Sequence, residues 1–122
     1  MNTHRDLIVW KESMLLVSLL YQCIESFPKE ELYGISSQIR RAAVSVPANI
    51  SEGAARQHPR EYLQFLRISL GSLSELETLL LIAKDLNYLD ADCHEEIQKK
   101  IKRIMIMLSA LIRSLNQKLL KS

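Results

Sequence analysis

The sequence predicts an all-α protein, an antiparallel up-down-up-down four-helix bundle that occupies residues 1–122 as a single domain. Apolar residues recur at alternating spacings of three and four along four long stretches, the mark of a helix with one buried stripe. Turn-forming residues interrupt those stretches at Pro28, from Gly53 to His58, and around Asn87. The composition agrees: 48% of residues are apolar and 25% charged, while three Gly and three Pro leave little material for turns. A chain of this length can bury one core, with about two-thirds of the unfolded surface removed from water.

The first helix is expected over about residues 5–27, with a stripe of Leu7, Trp10, Met14, Val17, Tyr21 and Ile24. Thr3 and Asp6 have capping-box spacing and either could begin it, and Pro28 closes it. The second is expected over about 32–55. Its line of Ile35, Ile39, Ala42 and Val46 runs on through Asn49 and Gly53, so Pro47 should kink the helix without ending it. The third, about 59–87, starts on Pro59 with Glu61 in its first turn. It carries Tyr62, Leu66, Ser69, Leu73, Leu76, Leu80 and Ala83 on one side, and Asn87 tolerates the left-handed conformation that ends a helix. The fourth, about 91–119, has Asp90 or Asp92 as its cap and a stripe of Ile97, Ile101, Ile104, Leu108, Leu111 and Leu115. Short connections between long helices favour antiparallel neighbours.

Apolar residues remain after the stripes are assigned. Ile8, Leu15 and Leu19 in the first helix, and Leu63, Leu70 and Leu81 in the third, fall on other sides, so self-association is expected. A monomer with scattered exposed leucines is the alternative. No basic segment followed by an apolar one opens the chain, and Lys11 and Glu12 break the first apolar run. A cytoplasmic protein without a membrane partner is expected. Cys23 and Cys93 lack metal-type spacing and read as reduced, partly buried small residues.

Chemistry is hard to find. His4, His58 and His94 stand apart from one another, none in a Glu-x-x-His or His-Glu-x-x-His pattern, and read as solvated residues near helix ends. Gly34, Gly53 and Gly71 are too far apart for a phosphate loop. No catalytic residue, metal ligand or cofactor is assigned, and the chain reads as non-enzymatic. Polar residues on the apolar seams carry more information: Asn49 lies on the core line of the second helix with Arg41, Ser45 and Glu52 on its flank, and the third helix offers Ser69, Ser72 and Glu75. Buried polar groups need partners, so these seven should form a network between the two helices, with the structural role of fixing register.

The run from Gln38 to Gly53, QIRRAAVSVPANISEG, resembles the signature of a bacterial family of four-helix-bundle proteins encoded within intervening sequences of 23S ribosomal RNA genes. The stretch Phe65 to Glu77, FLRISLGSLSELE, is similar to its second half, and the opening Asp6 to Lys11, DLIVWK, also matches. Ser69 and Leu70 stand where the family has an alanine and a basic residue before Gly71, which weakens any expectation of a basic surface on the third helix. The resemblance implies a four-helix protomer that assembles as a homopentamer around a central channel. It also implies kinship with the accessory protein of diversity-generating retroelements, which binds nucleic acid and a reverse transcriptase.

Two functions follow as expectations. The chain holds nine basic and fourteen acidic residues up to Glu96, then seven basic and no acidic ones. At about 100° per residue, Lys99, Lys102, Arg103, Arg113 and Lys121 gather opposite the apolar stripe of the fourth helix, as contact with RNA or DNA phosphates requires. The alternative is a protein scaffold or adaptor, its basic residues serving solubility and the helix dipole.

Overall fold

The computed structural model describes residues 4–121, so Thr3, one of the two candidate caps, lies outside the described residues. The element order is α1 (His4–Ile24), a 3₁₀ turn (Lys29–Glu31), α2 (Ile35–Arg56), α3 (Pro59–Asp85) and α4 (Ala91–Lys121). Among the described residues there is no strand. One contiguous apolar cluster draws on all four helices, with Leu20, Ile39, Ile50, Leu66, Leu73, Leu80, Ile101 and Leu108 fully enclosed.

The helix ends follow local hydrogen bonding. The expected end of α1 at residue 27 is three residues too late, because Phe27 N–H turns back to the Ile24 carbonyl at 3.0 Å and the Ser26 hydroxyl donates to the Cys23 carbonyl. The expected start of α2 at 32 is three residues too early: Glu31, Leu32 and Gly34 N–H bond three residues back in a 3₁₀ pattern that follows Pro28. α2 then runs unbroken through Pro47 and stops at Gln57, whose φ of 56° is left-handed. Asn87, with φ 63°, ends α3, and Tyr88 N–H reaches the Ala83 carbonyl at 2.9 Å. Asp90 caps α4, its carboxylate accepting from Cys93 N–H at 2.7 Å.

The stripes of α2, α3 and α4 are where the periodicity puts them, with Asn49 and Leu115 only half-buried. That of α1 requires correction. Its buried line is Asp6, Val9, Ser13, Leu16, Leu20 and Ile24, whereas Leu7, Met14 and Tyr21 are exposed. The helix is apolar on nearly every side, so periodicity alone selects no face. The inward line includes two polar residues that find partners: Ser13 donates to the Val9 carbonyl at 2.8 Å, and Asp6 accepts from Tyr62 Oη at 2.8 Å. Asp6 therefore lies inside the helix as a buried anchor instead of capping it. By length and composition α1 is also apolar enough to cross a membrane, although Lys11 and Glu12 interrupt it. In the bundle it packs against α2 and α4, and 28% of its most apolar window is buried.

α2 and α3 form the closest pair. A Cβ on Gly53 would stand 2.7 Å from Phe65 Cβ and 2.9 Å from a Tyr62 ring carbon, so a side chain there would push the two helices apart.

Candidate nucleic-acid interface

The 31 residues of α4 make it the longest helix described. Lys99, Lys102, Arg103, Arg113 and Lys121 are all exposed along it, and at about 1.5 Å per residue they span roughly 33 Å. The row is not uniform. Arg103 reaches Glu12 of α1 at 3.2 Å and Lys99 reaches Glu95 at 3.8 Å, so its first half is partly neutralised. Its second half gains charge from another helix: Arg60 and Arg67 of α3 share a cleft of about 460 Å³ with Asn116, Leu119 and Leu120, one turn beyond Arg113. Sequence reading left α3 out of the basic surface, and these two arginines correct that. The signal for them is their spacing of seven, which puts both on one side of α3.

Two apolar side chains interrupt the basic row, Ile106 at 70% exposure and Leu120 at 87%. Leu63, expected among the surplus leucines, is instead buried at 3% beside the end of α4, whereas Leu81 is exposed and Leu70 half-buried. On α1, Ile8 and Leu15 are exposed and Leu19 is half-buried.

Of the seven residues expected to link α2 and α3, three bond one another and a fourth, Ser69, bonds the α2 backbone. Ser45 and Ser72 hydroxyls lie 2.8 Å apart, and Asn49 Nδ2 donates to the Ser45 carbonyl and hydroxyl at 2.8 and 2.9 Å. Ser69 donates to the Val46 carbonyl at 2.9 Å, deep in the interface. Arg41 and Glu75 are exposed outside this group, and Glu52 pairs with Arg56 at 2.8 Å on the surface. Long charged side chains on the flank reach water more easily than the seam. The small hydroxyls and the amide fit between the helices, where the Ser45–Ser72 and Ser69–Val46 bonds cross from one to the other.

Sequence reading missed two further clusters. At one end of the bundle, His4, Arg5, Asp6, Tyr62, Ser114 and Lys118 line a cleft of about 620 Å³. Burial, and then the bond to Asp6, raise the pKa of Tyr62 well above the usual tyrosine value. At the other end, Cys23 and Cys93 sulfurs stand 3.6 Å apart, beside the Phe27 and Tyr88 rings with centroids at 5.6 Å. The Tyr88 hydroxyl donates to Glu31 at 2.9 Å, a bond that raises its own pKa. His94 also departs from the solvated role expected of it: its Nε2 is buried without a hydrogen-bond partner.

The family model of the 23S rRNA-intervening sequence protein matches residues 5–110. Among solved structures, a protein of unknown function from the S23 ribosomal protein family of Bacteroides thetaiotaomicron VPI-5482 is similar, with a TM-score of 0.81 and 24% identity over 89% of this chain and 98% of that one. At that identity the likeness speaks for the fold alone. No curated protein matches.

Proposed function

The chain belongs to the 23S rRNA-intervening sequence protein family, and from that premise we propose that it is a non-enzymatic, cytoplasmic, self-associating bundle that binds RNA or other nucleic acid through its basic surface. The observation that carries this reading is the cleft where Arg60 and Arg67 of α3 meet the last turns of α4, with Arg113 and Lys121 of α4 on either side of its Asn116 and Leu120, all four cations exposed. Phosphate contact needs cations clustered in water-accessible positions, and counterion release from the nucleic acid then drives binding. Aromatic residues for stacking are absent from α4, so the contact is with backbone rather than base.

The helices are proposed to run antiparallel, up-down-up-down. Cys23 meets Cys93, Glu12 meets Arg103, and the start of α1 shares a cleft with Lys118, an order in which one helix ascends as the other descends. Self-association rests on the exposed Leu7, Ile8, Met14 and Leu15 of α1, and a homopentamer rests on the family resemblance.

The test is an anisotropy titration with structured RNA and with duplex DNA at two salt concentrations, comparing wild type with Arg60, Arg67, Arg113 and Lys121 changed together to Glu. Binding at low salt should weaken steeply with salt, with a log-log slope of about −0.7 to −0.9 per phosphate neutralised, and charge reversal should abolish it. No binding at low salt, or binding untouched by the reversal, would favour the scaffold or adaptor reading. Ile106 and Leu120 support that alternative, since exposed apolar residues within the row suit a protein partner better than phosphate.

A further inference from the structure

We infer that Cys23 and Cys93 form a reversible intramolecular disulfide site that clamps the last turn of α1 to the first turn of α4. The two residues are 70 positions apart in sequence, yet their sulfurs are in contact at 3.6 Å. Both are half-buried, so a small oxidant reaches them while the surrounding core holds them in place. Each is also fixed by its own helix end. Asp90 caps the Cys93 N–H at 2.7 Å, and the Ser26 hydroxyl holds the Cys23 carbonyl at 3.0 Å. The Phe27–Tyr88 ring contact and the Tyr88–Glu31 hydrogen bond tie the two adjoining connections together, so the thiols face one another across a braced end. Closing the bond requires the sulfurs to approach from 3.6 Å to about 2.0 Å.

The co-reactant is a small disulfide of the glutathione class. The thiolate of one cysteine attacks one sulfur of the oxidised glutathione, the glutathione S–S bond breaks, one glutathione leaves as thiolate, and that cysteine is left as a mixed disulfide. The other cysteine then attacks the protein sulfur of the mixed disulfide. The Cys23–Cys93 bond forms, the second glutathione departs, and the proton of the attacking thiol goes to it. Two protein thiols are oxidised and one glutathione disulfide is reduced to two thiols. Burial, and then the neighbouring Cys93, push Cys23 up to about 12. Its position against Cys93 gives ring closure a large advantage over a lasting mixed disulfide.

The experiment uses the full chain, fully reduced and then equilibrated with excess glutathione disulfide, followed by thiol titration, non-reducing peptide mapping and a thermal melt. We expect both free thiols to disappear and a Cys23–Cys93 cross-linked peptide to form, two hydrogens lighter than its parts. The closed ring restricts the unfolded chain, so Tm should rise by at least about 5 °C and return on treatment with a dithiol. Cys23→Ala and Cys93→Ala should each take up one glutathione and lose the oxidation-dependent rise. Glutathione adducts or chain-to-chain cross-links as the main wild-type product would overturn the inference, as would a cross-link without a change in Tm. If either variant fails to fold, the wild-type map and melt decide alone.

Discussion

Asp6 occupies a place on α1 where the bundle otherwise buries apolar side chains, and at 1% exposure its carboxylate depends on donors within the protein. Tyr62 Oη is one such donor, at 2.8 Å. Tyr62→Phe removes it while keeping the ring, and the cost should be about 1–3 kcal/mol, measured by denaturant unfolding. The same pair dictates an alkaline response. Tyr62 ionises near 10.0 in the unfolded chain but is held neutral to higher pH in the fold, by burial first and Asp6 second. Its contribution is therefore whole below pH 10.0 and declines above it, where the unfolded chain releases the proton and the folded chain keeps it. Wild type should lose stability above pH 10.0 more steeply than Tyr62→Phe does; equal slopes in the two would show that Tyr62 ionises freely in the fold. Apolar positions answer to a different term. Leu73 and Leu108 are fully buried, so truncating either to Ala should cost about 2–5 kcal/mol through lost burial and the cavity left behind.

At the scale of elements, the two glycines within helices have opposite roles. Gly53 is where α2 and α3 touch, so Gly53→Ala forces Phe65 and Tyr62 to move and should destabilise the protein by about 1–3 kcal/mol. Gly71 faces open space in the protomer, and Gly71→Ala should stabilise an isolated protomer by about 0.4–1 kcal/mol by restricting the unfolded chain. Parallel melts of the two variants test the contrast, and a loss at Gly71 would mean that a neighbouring copy occupies that space. Legibility also differed between helices. α2, α3 and α4 alternate apolar and polar faces, so spacing alone located Ile39, Leu73 and Leu108 inside. α1 offers Leu7, Met14 and Tyr21 on one side and Leu16 and Leu20 on another, and only the three-dimensional partners of Asp6 and Ser13 select between them. Ser45, Asn49, Ser69 and Ser72 were legible because polar residues on a seam must find partners, side chain or backbone; Arg41, Glu52 and Glu75 were not, because long side chains escape to water. The meeting of Cys23 with Cys93, 70 residues apart, leaves no periodic trace at all.

For the whole molecule, exposed apolar area and charge lead to separate predictions. Leu15 is 66% exposed on α1, near Ile8, so light scattering over a dilution series should give a mass above the protomer's 14.0 kDa, and Leu15→Glu should lower it without unfolding the bundle. A protomer mass for wild type at every concentration would refute self-association. Charge yields the sharper test, because the basic row divides into unlike halves. Arg103 and Lys99 each stand near a carboxylate, and binding a phosphate there means competing with Glu12 and Glu95. Near the end of α4, Arg113 and Lys121 precede and follow in sequence the Asn116 and Leu120 that share a cleft with Arg60 and Arg67 of α3, and fields of like sign add. Reversing Arg60, Arg67, Arg113 and Lys121 to Glu should thus cut affinity for structured RNA at low salt by at least about tenfold more than reversing Lys99, Lys102 and Arg103. It should also flatten the salt dependence by about 0.7–0.9 in log-log slope for each phosphate that the protein no longer neutralises. Equal reductions from the two sets would spread the interface along the full length of α4. A larger reduction from the first-half set would move the interface to the groove between α1 and α4, where Lys100 and Arg103 lie.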